Sequence, residues 1–200
     1  MMEIESTIPS IFLGLGLAAS VGFRVFLPLL MLSVSAYFDF VPLGESWAWV
    51  GSMPAMIALG SATLLEILGF YIPWVDNLLD TVAIPTAAFA GTAVMASTAI
   101  DMDPFWKWAL AIIAGGGTAT AVKTSQAGTR AASTGTTGGL ANPVVATGEV
   151  VASAALSAVS IFFWPLAAVL TILLLIAIFF FWRGIRKWFK QKKSRPLPQQ

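Results

Sequence analysis

Apolar residues run through this chain in long, almost unbroken blocks, and the polar positions gather in a few short stretches between them. Blocks cover residues 8–38, 50–72, 81–100, 105–122, 143–160 and 161–182. About 20 apolar residues suffice for a helix to cross a bilayer. The pattern therefore predicts an all-α, polytopic membrane bundle of about six spans in one transmembrane domain, residues 1–182, followed by a tail, residues 183–200. The first block is too long for one straight span. It carries Gly14, Gly16, Gly22, Arg24 and Pro28, which predict a broken or bent helix.

Residues 123–143, KTSQAGTRAASTGTTGGLANP, interrupt the apolar pattern most sharply. Irregular backbone at membrane depth survives only if it is buried in protein or lines a wet cavity. Two readings stay open: residues 124–142 are a cytoplasmic loop, or they are re-entrant and line a pathway with Arg130, Ser133, Thr134 and Asn142. The run Gly115-Gly116-Gly117 just before them marks a surface that another backbone approaches. Segment 81–100 is built of small residues, which suits close helix packing. The string PWVDNLLD, residues 73–80, is an amphipathic turn. Its Asp76 and Asp80 share a helical face with i,i+4 spacing. With Asn77 they form either a helix cap or a cytoplasmic mouth for the pathway.

Composition sharpens this picture by exclusion. The 200 residues are 58% hydrophobic and 10% charged, with no Cys and no His. That removes thiolate and imidazole metal sites and any Ser-His-Asp triad. No cofactor, no metal and no enzymatic activity is expected. An intramembrane lipid enzyme using Ser133 or Asp76 would need a base that nothing in the pattern positions. The net charge of +1 hides an asymmetry, since basic residues crowd the segment RGIRKWFKQKKSR, residues 183–195. Such a run stays cytoplasmic and favours anionic lipid headgroups over nucleic acid. With six spans, both termini are cytoplasmic, in a bacterial inner membrane.

Split near Asp103, the chain gives repeats 8–100 and 104–182, and an odd number of spans in each makes them inverted. Gly22-Phe23-Arg24 is echoed by Gly128-Thr129-Arg130, and each half holds one intramembrane carboxylate, Glu66 or Glu149. Two arginines and two glutamates can neutralise one another, whereas any of the four left alone carries a penalty of several kcal/mol. They are either static ion pairs or pairs broken and remade as a substrate or proton enters.

GFRVFLPLL, the Glu66 helix ending in IPWVDNLLD, and AGTRAASTGTTGGLANPVV followed by Glu149 resemble the bacterial membrane proteins grouped as domain of unknown function 4126. The resemblance spans roughly residues 10–180. It implies a membrane location and points to Arg24, Pro28, Glu66, Trp74, Asp76, Asn77, Asp80, Arg130, Ser133, Asn142, Pro143 and Glu149. It implies no substrate.

The expectation is a transporter or channel for a small solute or ion, assembled as a homodimer among membrane lipids. In it Arg24 and Arg130 attract an anionic group, while Glu66 and Glu149 act as counter-ions or proton carriers. The alternative is a non-transporting membrane scaffold or lipid-interacting protein whose buried ion pairs are structural.

Overall fold

The computed structural model describes the backbone of residues 2–193 and the side chains of residues 7–72, 79 and 81–184. Among the described residues every regular element is helical. In order these are α1 (Met2–Phe23), α2 (Phe26–Tyr37), a 3-10 turn (Glu45–Gly51), α3 (Met53–Gly69) and α4 (Pro73–Thr98). Then come α5 (Pro104–Leu110), a π turn (Ala111–Gly116), α6 (Gly117–Thr137), α7 (Asn142–Phe162) and α8 (Trp164–Lys193).

Helix α1 is the axis of the bundle. Leu17, Ala18, Ala19, Ser20 and Val21 are wholly buried, and α4, α6, α7 and α8 all pack against this helix. The outer faces are oily: Leu65, Phe89, Ile113, Leu173, Phe179 and Phe180 are exposed, as lipid contact requires. Trp49, Phe105, Trp106 and Trp108 are exposed at one end of the bundle, where an aromatic belt meets headgroups.

The first apolar block breaks as expected, between Phe23 and Phe26. In an unbroken helix the amide at position 28 would bond to the carbonyl of Arg24. Pro28 has no amide hydrogen, and its ring would collide with that carbonyl. The chain then reverses direction. Phe12 stacks on Trp164, and Phe40, just past α2, meets Phe162. Pro9, Ser10, Leu13, Phe40, Val41 and Pro42 line one apolar pocket of about 430 Å³. The start of α1 and the end of α2 thus lie together beside the α7–α8 junction, while Arg24 touches Ala146 near the opposite end of α7. Helices α1 and α2 are a folded-back pair, not one span.

That reversal changes the count expected from the sequence. Among the described residues three helices are long and apolar enough to cross a membrane: Thr81–Thr98, Asn142–Phe162 and Trp164–Gly184. Glu45–Gly51 with Met53–Gly69, bent by 64°, makes a fourth if taken as one span. Six spans are not found among the described residues. The two halves also differ, since the first opens with a folded-back pair and the second with a continuous helix through residues 104–137.

That continuous helix is the second departure. Most of residues 123–143 is neither loop nor irregular re-entrant segment; α6 runs to Thr137 and ends at Gly138, whose φ of 64° closes the helix in the left-handed region. Serine, threonine and glycine are mediocre helix formers, but each costs at most about 1 kcal/mol. An unpaired amide in an apolar bundle costs more. The hydroxyls of Thr129, Thr136 and Thr137 bond back to carbonyls of the helix itself. The expected close approach is present. A Cβ on Gly115 would sit 2.5 Å from the Gly91 carbonyl oxygen, so only glycine lets α4 and the π turn meet here.

Candidate functional site

The break between α1 and α2 leaves two helix ends inside the bundle, each with backbone groups that no intrahelical bond satisfies. Side chains of opposite sign meet them. At the start of α2, the Glu66 carboxylate accepts from the amides of Val25 (2.8 Å) and Phe26 (3.0 Å), one oxygen each. At the end of α1, the Lys123 ammonium donates to the Phe23 carbonyl at 3.2 Å, and the Ser153 hydroxyl adds a bond at 3.0 Å to the Ser20 carbonyl, which already accepts from the Arg24 amide. An anion at a helix N-terminus and a cation at a C-terminus are the signs the helix dipole favours.

Arg24 occupies the break itself and is 1% exposed. Its Nη2 donates to the Ala146 carbonyl at 2.9 Å and lies 3.0 Å from Glu149 Oε2. From the other side, Arg130 grips the same carboxylate with both prongs, Nε to Oε1 at 3.0 Å and Nη2 to Oε2 at 2.8 Å. Phe70, at the end of α3, presents its ring to both guanidinium groups, with centroids 3.9 Å from Arg24 and 4.5 Å from Arg130. Five ionisable side chains from four stretches of chain are thereby buried together, three basic and two acidic.

The family model for the domain of unknown function DUF4126 matches residues 11–184. The chain belongs to the DUF4126 family. Nothing matches among curated proteins or among solved structures.

The four charges read from the sequence of this DUF4126 chain do converge, but not in the expected pairs. Glu149 serves both arginines, and Glu66 serves backbone amides. The reason lies in the break: it exposes amides that need an acceptor, and it places Arg24 beside α7. Thr134 and Asn142 have a local task, since Asn142 Nδ2 lies 3.3 Å from Thr134 Oγ1 across the α6–α7 turn. Ser133 keeps a buried hydroxyl without a partner among the described residues. The side chains of Asp76, Asn77 and Asp80 lie outside the described residues, so the proposed mouth is untouched by this geometry.

Lys123 and Gln126 lie beside these charges as well, and neither is among the pathway residues that the sequence pattern suggests. Their signal was periodic: Lys123, Gln126, Arg130 and Ser133 recur at the spacing of one helical face. Treating residues 123–143 as irregular hid that face. Among groups of acidic residues in the described chain, none is arranged to hold a metal ion.

Proposed function

We propose that this protein is a small-solute or ion transporter or channel of the bacterial inner membrane, with the buried charges at the α1–α2 break as its charge-handling centre. The observation that carries the reading is the pair of interior helix ends met by Glu66 and Lys123. Membrane transporters handle charge at discontinuous helices of this kind. Ionisable groups at such depth are costly, so they accompany a pathway more often than a passive bundle. The basic tail lies on the cytoplasmic side, and the start of α1 lies on the opposite side. Helix α6 is not among the apolar spans, and its exposed Ala131, Ala132 and Thr136 offer a face for a second copy of the chain.

The test is reconstitution into liposomes with a panel of ions and small anions, comparing the wild type with the double variant Glu66→Gln, Glu149→Gln. An altered flux in a protein that still elutes as folded supports the assignment; every flux unchanged would refute it. A second reading, a non-transporting scaffold, is favoured by one observation: every oxygen of the two carboxylates already has a protein donor. In that case Glu149→Gln lowers expression and melting temperature, and the wild type shows no flux to alter.

A further inference from the structure

The end of the bundle at the α7–α8 junction holds the pocket of about 430 Å³, a size within the about 300–1,000 Å³ of small-molecule sites. It lies about three helical turns along α7 from Glu149, so it is separate from the buried charges at the α1–α2 break. Its floor is buried, formed by Ser10, Val41 and Ser160, and its rim is exposed, formed by Phe40, Asp101 and Trp164. The two rings of the rim are held by neighbours. Trp164 stacks on Phe12 and Phe40 meets Phe162 edge-on, with centroids 6.1 and 6.3 Å apart.

The polar side chains of this lining share one sense. Ser10 Oγ donates to the Thr7 carbonyl at 2.8 Å and Ser160 Oγ to the Leu156 carbonyl at 2.6 Å. Each hydroxyl has given its hydrogen to its own helix and keeps only lone pairs for the pocket. The Asp101 carboxylate has no hydrogen-bond or ion-pair partner among the described residues. Acceptor oxygens and aromatic faces both attract positive charge. An uncharged donor would leave the carboxylate unmatched.

The surroundings have the same sign. Asp39 precedes Phe40, Asp103 follows Asp101, and Glu45 follows Gly44, whose amide donates to the Ser97 carbonyl at the end of α4. Against these carboxylates the described turns at this end set one ammonium, that of Lys107. Glu3 and Glu5 precede Pro9 in α1 and are acidic too, but their side chains lie outside the described residues and the sign does not rest on them. An excess of one charge around a cleft raises the local concentration of the opposite ion.

We propose that this pocket binds a monovalent organic cation with an apolar body. Its head would lie against Asp101 and the rings of Phe40 and Trp164, and its body over the floor at Val41. A phospholipid headgroup that carries an ammonium also carries a phosphate, which Asp101 repels, so the ligand is a free cation. The site goes beyond the transport reading and does not rest on it, because it is read by binding.

The experiment follows the melting temperature of the purified full chain in maltoside detergent, at constant ionic strength, as benzyltrimethylammonium, phenylmethanesulfonate or tetramethylammonium is added. The first two share an aromatic body and a tetrahedral head and differ in sign; the third lacks the body. A ligand that binds only the folded chain raises its melting temperature. The expected result is a saturable rise with benzyltrimethylammonium and none with phenylmethanesulfonate. Tetramethylammonium should need at least about tenfold more for half its effect, having no ring to bury. Asp101→Asn removes the charge and keeps the backbone, since asparagine also tolerates the left-handed φ of 56° found there. It is expected to melt with the wild type when no ligand is present, and to need at least about tenfold more benzyltrimethylammonium. Phe40→Leu should need about two- to fivefold more. Should Asp101→Asn fail to fold, the contrast of sign in the wild type carries the test. A wild type indifferent to benzyltrimethylammonium, an equal rise with the sulfonate, or an unchanged midpoint in Asp101→Asn would overturn the proposal. Binding of the cation with no flux of any ion supports the site and counts against transport alone.

Discussion

At the scale of single residues, the two carboxylates have different partners and should differ in what their loss costs. Glu149 is the shared acceptor of two buried guanidinium groups. Removing one partner of a buried ion pair costs about 3–5 kcal/mol, because it strands the opposite charge. Glu66 accepts from two backbone amides, and an amide acceptor in its place loses one of those bonds, about 1–3 kcal/mol. Glu149→Gln is therefore expected to lower the melting temperature in detergent more than Glu66→Gln. Equal shifts would mean that the guanidinium groups find other acceptors. The four intramembrane charges were legible in the sequence because Arg and Glu rarely stand in apolar blocks without a reason. Their pairing was not, since one glutamate per arginine is the simplest neutral arrangement. Only the break in the chain shows that Glu66 is drawn to a helix end instead.

At the scale of elements, the break itself was readable and α6 was not. Pro28 removes one helical hydrogen bond and crowds the Arg24 carbonyl, and with Gly22 and a buried charge beside it the break falls there, whereas α4 runs on through Pro85. The glycine and threonine content of segment 123–143 argues against a helix, by a preference measured in water. Within an apolar bundle the need to pair every amide outweighs that preference, so the segment folds as the continuation of α5. The glycines of the adjoining run separate by packing. A Cβ on Gly115 meets the Gly91 carbonyl oxygen and Met95 Cβ, each at 2.5 Å, whereas a Cβ on Gly117 meets nothing within 4 Å. Gly115→Ala should destabilise by about 1–3 kcal/mol through overpacking. Gly117→Ala should be neutral or stabilise by up to about 1 kcal/mol through helix propensity. Melting of the two variants side by side checks this, and a Gly115→Ala protein as stable as Gly117→Ala would show that α4 and the π turn can part freely.

At the scale of the whole molecule, hydropathy counted apolar residues correctly and misjudged the path they take. Residues 8–38 are apolar enough for a bent span, and nothing in their composition distinguishes passing through from turning back. The distinction comes from contacts distant in sequence, Phe12 with Trp164 and Phe40 with Phe162, which hold both ends of the α1–α2 pair at the α7–α8 junction. Each later helix then runs opposite to the one before it: α3 descends from the 3-10 turn to the level of Glu66, α4 returns, α5 with α6 descends, α7 returns and α8 descends. The start of α1 consequently shares an end of the bundle with Asp101, and the exposed turn residue Leu140 lies at the other. In a six-span chain the start would share its side with Leu140. The absence of native cysteine makes the alternatives separable by single-cysteine labelling. Thr7→Cys, Asp101→Cys and Leu140→Cys would be exposed in intact cells and in inverted membrane vesicles to a maleimide that does not cross the bilayer. The folded-back arrangement requires Thr7→Cys to label with Asp101→Cys, from the face away from the basic tail. Labelling of Thr7→Cys together with Leu140→Cys would mean that the first block crosses the membrane, and would detach Arg24 from the interior helix ends on which the transport reading rests.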